Sequence, residues 1–257
     1  MRQSLLTRYD PRRGVSISTL AWEYSRGYQV PEHAHGSDQF LYAIRGVMQV
    51  SAGSGVWLIP PHFGIWIPAR TSHSIRMSGA VSMRTLYMRR GLAAGRPAAC
   101  AVVHIMPLLR ELIVEAVRIG ELRIRNRLHC ALRDLLVSQL ETASPMPISL
   151  TLPQDGRARA IADRVMSHPG DRQTFVTLCD MAGASVRTMQ RVFRRQTGTD
   201  FEFWRRQVRL MKAIELLVSG QSVKEVADGL GYRQPTAFVE MFRGILGTTP
   251  AAWLKTL

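Results

Sequence analysis

The sequence predicts an α+β protein of two domains: a small N-terminal β-barrel followed by helices, then an all-helical C-terminal domain with two helix-turn-helix motifs. Three observations carry this. Residues 15–90 hold short runs rich in Val, Ile, Trp and Tyr, broken by turn signals. From about Pro107, apolar residues recur at helical spacing. Residues 174–247 contain one short pattern twice. At 257 residues the chain has room for one or two domains and for a core that needs no disulfide or metal.

The N-terminal runs include Gln39–Ile44, Val47–Val50 and Val56–Ile59, separated by Arg45-Gly46, Gly53-Ser54-Gly55, Pro60-Pro61 and Ser78-Gly79. Short strands with regular turns make a small sandwich or barrel, expected over residues 1–105. In the next segment, 106–142, Leu128, Leu132, Leu135, Leu136 and Leu140 share one helix face, after an apolar stretch from Leu108 to Val114. Such a stripe either packs on the barrel or joins two copies of the chain. Ala143-Ser-Pro-Met-Pro-Ile-Ser149 breaks the helix, so 143–153 is expected as a linker and 154–257 as wholly helical.

The C-terminal part repeats a unit. Phe175–Ala182 reads as a short helix closed by Gly183, and Ser185 caps a second helix that runs to Gly198. Ser222 caps Val223–Leu230, Gly231 closes it, and Pro235 sits where a first helical residue belongs. The motifs span 174–196 and 222–245, with second helices starting at Ser185 and Gln234, 49 residues apart. Asp200 to Ser219 reads as one connecting helix. A helix of that length spans about 30 Å, and successive major-groove faces of B-DNA lie ~34 Å apart. In the first second-helix, Arg187, Gln190, Arg191 and Arg194 form a polar face opposite Met189, Val192 and Phe193. Arginine pairs with guanine and glutamine with adenine.

The balance of 34 Lys+Arg against 19 Asp+Glu gives a net charge of +15, which favours a polyanionic partner. The excess is +8 in residues 1–100, +1 in 101–150 and +6 in 151–257, so charge alone does not locate the binding face. Cys100, Cys130 and Cys179 are far apart, which argues against a disulfide scaffold or a cysteine zinc site. No apolar run approaches the ~18 residues of a membrane helix, and Arg8, Asp10 and Arg12 interrupt any signal-peptide core. A cytoplasmic protein with no membrane partner is expected. No nucleophile triad, phosphate loop or paired carboxylates mark an enzyme.

The segments Ser185–Gly198, Phe203–Leu210, Ala213–Leu217 and Val226–Tyr232, then Phe238, Phe242-Arg243, Gly247 and Pro250, resemble the AraC/XylS family of bacterial transcription regulators over roughly residues 157–255. That resemblance implies seven helices, double-stranded promoter DNA as partner, and no catalysis. By position, Arg187, Gln190 and Arg191 fall where family members contact bases. Arg233, Gln234, Thr236 and Ala237 fall at the corresponding part of the second motif, and Arg194, Arg195 and Arg243 are better placed for phosphates. Pro235–Glu240 offers few long donors, so the second helix is expected to position the protein more than it reads sequence. A homodimer, a small-molecule effector and RNA polymerase are the further partners implied.

In the N-terminal part His33 and His35 alternate onto one side of an extended segment, Gln39 follows, and His73 comes from a later strand. This resembles the cupin barrel, so the fold expected is a cupin-like sensor. Gln39 stands where many cupins have a carboxylate, and Arg70 where the second cupin motif commonly has glycine. His33, His35, Gln39, Tyr42, Trp66 and His73 are the candidate effector pocket. Trp57, Trp66, Tyr42 and Met48 serve either as cavity lining or as core, and His62 reads as a loop histidine. No cofactor is required on this reading; a transition metal on His33, His35 and His73 is the alternative occupant, and a cupin metalloenzyme with a DNA-binding tail is the rival function. The pattern from Trp57 to Pro68 resembles a subgroup whose members tend to regulate neighbouring transporter genes.

Overall fold

Side chains that alternate along a strand must be buried on one face, the other or both, and this sorts the N-terminal strands into two sheets. The computed structural model describes residues 9–96, 98–143 and 149–255, which form two compact units, the first built essentially from 9–143 and the second from 149–255. In chain order the first contains strands β1 (Val15–Tyr24), β2 (Gln29–His33), β3 (Asp38–Arg45), β4 (Met48–Ala52), β5 (Gly55–Ile59), β6 (Phe63–Ile67), β7 (His73–Met77), β8 (Val81–Met88) and β9 (Ala101–His104). Helix α1 (Pro107–Ile119), strand β10 (Glu121–Arg123) and helix α2 (Arg127–Thr142) follow. One sheet has the order β10-β1-β8-β3-β6-β9; in the other β5, β4, β7 and β2 lie side by side. The unit is a cupin-like β-barrel followed by helices.

The first sheet separates two environments. Phe40 and Tyr42 of β3, Trp66 of β6, and Leu86 and Met88 of β8 pack with Leu109, Ile113 and Ala116 of α1 and Leu136 and Leu140 of α2. Residues one step along, such as Gln39 and Tyr87, which pair across β3 and β8, face the other way. The leucine stripe of α2 divides accordingly. Leu136 and Leu140 are buried in this core, whereas Leu128 and Leu135 are 67% and 43% exposed. Strand β10 pairs antiparallel with β1 inside a segment that sequence periodicity reads as helical throughout. Gly120, at φ 86°, ends α1 and makes room for it.

In the second unit strand β11 (Ser149–Thr151) precedes seven helices among the described residues: α3 (Gly156–Ser167), α4 (Phe175–Met181), α5 (Val186–Thr197), α6 (Phe201–Val218), α7 (Val223–Gly229), α8 (Pro235–Leu246) and α9 (Pro250–Leu254). Residues 144–148 of the expected linker lie outside the described residues. Its remainder is not a free tether: Leu150 and Leu152 are buried, and Trp204 Nε1 donates to the Thr151 carbonyl at 2.8 Å.

The helix starts follow their caps. Ser185 accepts from Thr188 N, and Asp200 from Phe203 N at 2.8 Å. Ser222 and Glu225 form a reciprocal capping box at α7. Helices α5 and α8 both end at left-handed glycines, Gly198 and Gly247. An aromatic cluster binds α4, α5 and α6: Phe175 stacks on Phe201 at 4.1 Å, and Phe193 meets Trp204 edge-on at 5.6 Å.

Gly64 carries a testable packing constraint. A Cβ there would lie 2.3 Å from the Phe40 ring and 2.9 Å from the Leu41 carbonyl oxygen. Gly64→Ala is expected to lower stability by about 1–3 kcal/mol through overpacking, read as a fall in the denaturant midpoint of the full chain. Wild-type stability in that variant would contradict the packing.

Candidate nucleic-acid interface and histidine site

Helix α5 buries Met189, Val192 and Phe193 and leaves Arg187, Gln190, Arg191, Arg194 and Arg195 exposed. Those five side chains line one open groove, with Asp200 at its end. A 3.6-residue period places the arginines and Gln190 on the face turned away from the core. Gln196 of the same helix has another task, because its Oε1 accepts from the backbone N–H groups of Gln154 and Asp155 at 2.8 and 3.0 Å. It fastens the segment before α3.

Helix α8 repeats the design. Phe238 and Phe242 are buried, while Arg233, Gln234, Thr236, Ala237, Glu240 and Arg243 are exposed. Gln234 is the N-cap residue but makes no side-chain capping bond, and Pro235 occupies the first turn. Ala237 and Glu240 line a groove with Phe203 and Arg206 of α6. Arg209 of α6 instead ties the fold together. It donates to the carbonyls of Pro169 and Asp171 at 2.9 and 3.2 Å and lies over the Tyr232 ring. The connector between the two motifs is α6, 18 residues with eight of them buried.

In the first unit three histidines converge. His33 ends β2 and His73 begins β7, where the two residues pair across the strands. His35 stands in the connection to β3. His35 and His73 are buried and His33 is partly so. One ligand nitrogen from each lies within 4.8 Å of the others. His73 Nδ1 lies 2.9 Å from the Thr71 carbonyl and His33 Nδ1 lies 2.7 Å from that of Pro31. A carbonyl only accepts, so each Nδ1 donates and each Nε2 keeps its lone pair. Among the described residues the buried His73 Nε2 has no hydrogen-bond partner. Burial pushes the His73 pKa down to about 4 and also lowers that of His33, so both imidazoles are neutral near pH 7. Neutral, backbone-oriented imidazoles at this spacing suit a first-row transition metal.

Gln39 is buried, and its side-chain carbonyl oxygen has no hydrogen-bond partner among the described residues. Tyr87, which the sequence does not single out, packs edge-on to His35 at 4.9 Å and stacks on Tyr9. Its place follows from strand alternation on β8 once the β3–β8 register is known. Tyr42 and Trp66 do not join the histidines. They lie on the helix-covered face of the first sheet, the opposite one from Gln39. Met48 is also fully buried. Arg70 has φ 64°, the left-handed backbone that glycine adopts freely, and its N–H donates to the His35 carbonyl at 2.7 Å. A glycine position in the motif thus keeps its backbone shape here with an arginine.

A cupin-like β domain carrying a cluster of three histidines, paired with two helix-turn-helix motifs, defines a DNA-binding transcription regulator with its own ligand-binding domain. Comparison with known proteins specifies this further. Residues 15–143 match the AraC-like ligand binding domain and residues 178–256 match a helix-turn-helix domain. The chain belongs to the AraC family of transcription regulators. It is 27% identical over 227 residues to the HTH-type transcriptional regulator NimR of Escherichia coli, covering 88% of this chain and 83% of that protein. It is 33% identical over 102 residues to the HTH-type transcriptional regulator RipA of Corynebacterium glutamicum, covering 40% and 31%. The HTH-type transcriptional regulator YobQ of Bacillus subtilis is 24% identical over 243 residues, covering 91% and 92%. Among the described residues no helix is long and apolar enough to cross a membrane.

Proposed function

We propose that this regulator binds a small effector at the histidine centre of the N-terminal domain and thereby changes how its two reading helices engage double-stranded promoter DNA. The observation that carries the DNA half is the matched pair α5 and α8, each 12 residues long and stopped by glycine, the second helices of two motifs that α6 connects. Arg187, Gln190 and Arg191 are assigned to base edges. Arg194, Arg195 and Arg243 are assigned to phosphates, and Arg233, Gln234, Thr236 and Ala237 to the second site. Regulation requires that the effector bind the DNA-competent and DNA-incompetent states with different affinity.

The chain is read as acting in the cytoplasm by binding, without turnover. Neutral Gln39 in place of a carboxylate supports that reading over the metalloenzyme alternative. Residues 1–105 are assigned to sensing, 106–142 to packing and dimerisation, and 154–257 to DNA. A homodimer is proposed through α1 and α2, whose Leu108, Leu128 and Leu135 are exposed. RNA polymerase is the remaining proposed partner, recruited or blocked at the promoter. DNA binding needs no cofactor. His33, His35 and His73 would hold a transition metal when one is supplied, and such an ion would act as a Lewis acid toward the effector.

Two measurements test these assignments. Arg191→Ala is expected to cost about 1–3 kcal/mol on the preferred operator, with loss of preference at one base pair. Arg195→Ala should weaken binding to all sequences alike and reduce the log–log salt slope by about 0.9. Fluorescence anisotropy across a salt series reads both, and a salt-insensitive complex would contradict the arginine assignments. For the histidines, Zn²⁺ at about 100 times its Kd should stabilise the full chain by about 2.7 kcal/mol. His73→Ala should abolish that shift, and a wild-type chain that binds no stoichiometric ion would contradict metal holding.

A further inference from the structure

The two reading helices correspond residue for residue at a shift of 49. The cap residues are Ser185 and Gln234. The buried anchors Met189 and Phe193 correspond to Phe238 and Phe242, and the stops Gly198 and Gly247 have φ 77° and 73°. In that register Arg191, the sixth residue of α5, corresponds to Glu240, the sixth residue of α8. Both are exposed. A position assigned to base reading in the first helix is therefore occupied in the second by a side chain of opposite charge.

Arg206 of α6 lines the same groove as Glu240 without pairing with it. Ala237, one turn before it, and Gly244, one turn after it, lie on the same face and line the same groove. Neither has a side chain long enough to reach past the carboxylate. Among the described residues Glu240 makes no ion pair. Glu225, by contrast, is used up in the α7 capping box, and Glu202 and Glu215 pair with Arg205 and Lys212.

A carboxylate only accepts hydrogen bonds, and DNA phosphates repel it. In the major groove, guanine presents two acceptors, and adenine sets an acceptor beside its amino donor. Cytosine presents the N4 amino donor. We propose that Glu240 is the specificity-determining residue of the second helix, accepting a hydrogen bond from cytosine N4, with Arg191 reading guanine from the equivalent position of the first. The operator then carries a G for one helix and a C for the other, about one helical turn apart. A wrong base at the second site leaves the carboxylate desolvated and unpaired, so Glu240 rejects sequence as well as selecting it. The second helix reads, where its short donors alone would only position. This rests on the proposed promoter-binding function.

The test is selection of binding sites from randomised duplex DNA with the full chain, comparing wild type, Glu240→Ala, Glu240→Gln and Arg191→Ala. Wild type is expected to enrich one cytosine by about 5- to 150-fold, the range that a base contact of this kind supplies. That enrichment should vanish in Glu240→Ala, which should also bind unrelated DNA about 2- to 10-fold more tightly once the phosphate repulsion is removed. Glu240→Gln should move the preference to adenine, and Arg191→Ala should leave the cytosine untouched. Glu240 is exposed, so thermal melting of each variant should match wild type. Unchanged cytosine enrichment in both Glu240 variants would overturn the inference while leaving the regulator reading intact. A wild-type chain that retains no DNA would overturn both.

Discussion

The stiffness of α6 is the constraint on which the DNA-binding unit depends. Phe201–Val218 contains neither glycine nor proline, and 18 residues at 1.5 Å each give about 27 Å. A rod of that length is useful only if both ends are fixed. At its start Trp204 is fully buried, hydrogen-bonded to the Thr151 carbonyl and packed on Phe193, which ties α6 to the first reading helix. Further along, Arg209 donates to two carbonyls of the loop before α4 and stacks on Tyr232. Tyr232 in turn packs on Phe238 of the second reading helix. Each probe is therefore anchored to the same helix by aromatic contacts, and their separation is a property of one backbone.

In the N-terminal unit the period-two alternation of strands does comparable work. On β3, Phe40 and Tyr42 turn toward α1 and α2, and Gln39 turns toward the side that holds the histidines. A continuous greasy core supports one face of the sheet. On the other face lie the Gln39 amide and the imidazoles of His33 and His73, which burial keeps neutral near pH 7. The backbone supplies the orientation, through the carbonyls of Pro31 and Thr71 and through the left-handed turn at Arg70.

Much of this was legible in the sequence because local chemistry announced it. Ser185, Asp200 and Ser222 cap helices with their own side chains, and Gly198 and Gly247 stop them in a conformation that favours glycine. The histidine grouping was legible because HxH alternation and a later His73 converge in a two-sheet barrel. What was hidden depends on pairing between distant segments. Strand β10 exists only because β1 offers an edge, and its three residues are too short for a periodic signal. Ser149–Leu152 resembles a linker in composition, yet Leu150 and Leu152 are buried. Tyr42 and Trp66 were grouped with the histidines by residue type, although Gln39 and Tyr42 are three apart on one strand and so must face opposite ways. Tyr87 was missed because only the β3–β8 register brings it beside Gln39.

The central claim is that one rigid helix spaces two reading heads along a duplex. Hydroxyl-radical footprinting of the full chain on a selected operator tests it most directly. The account predicts two protected patches on one face of the DNA, centred about one helical turn, or ~10 base pairs, apart. A single protected patch narrower than one groove, or two patches on opposite faces of the duplex, would contradict it.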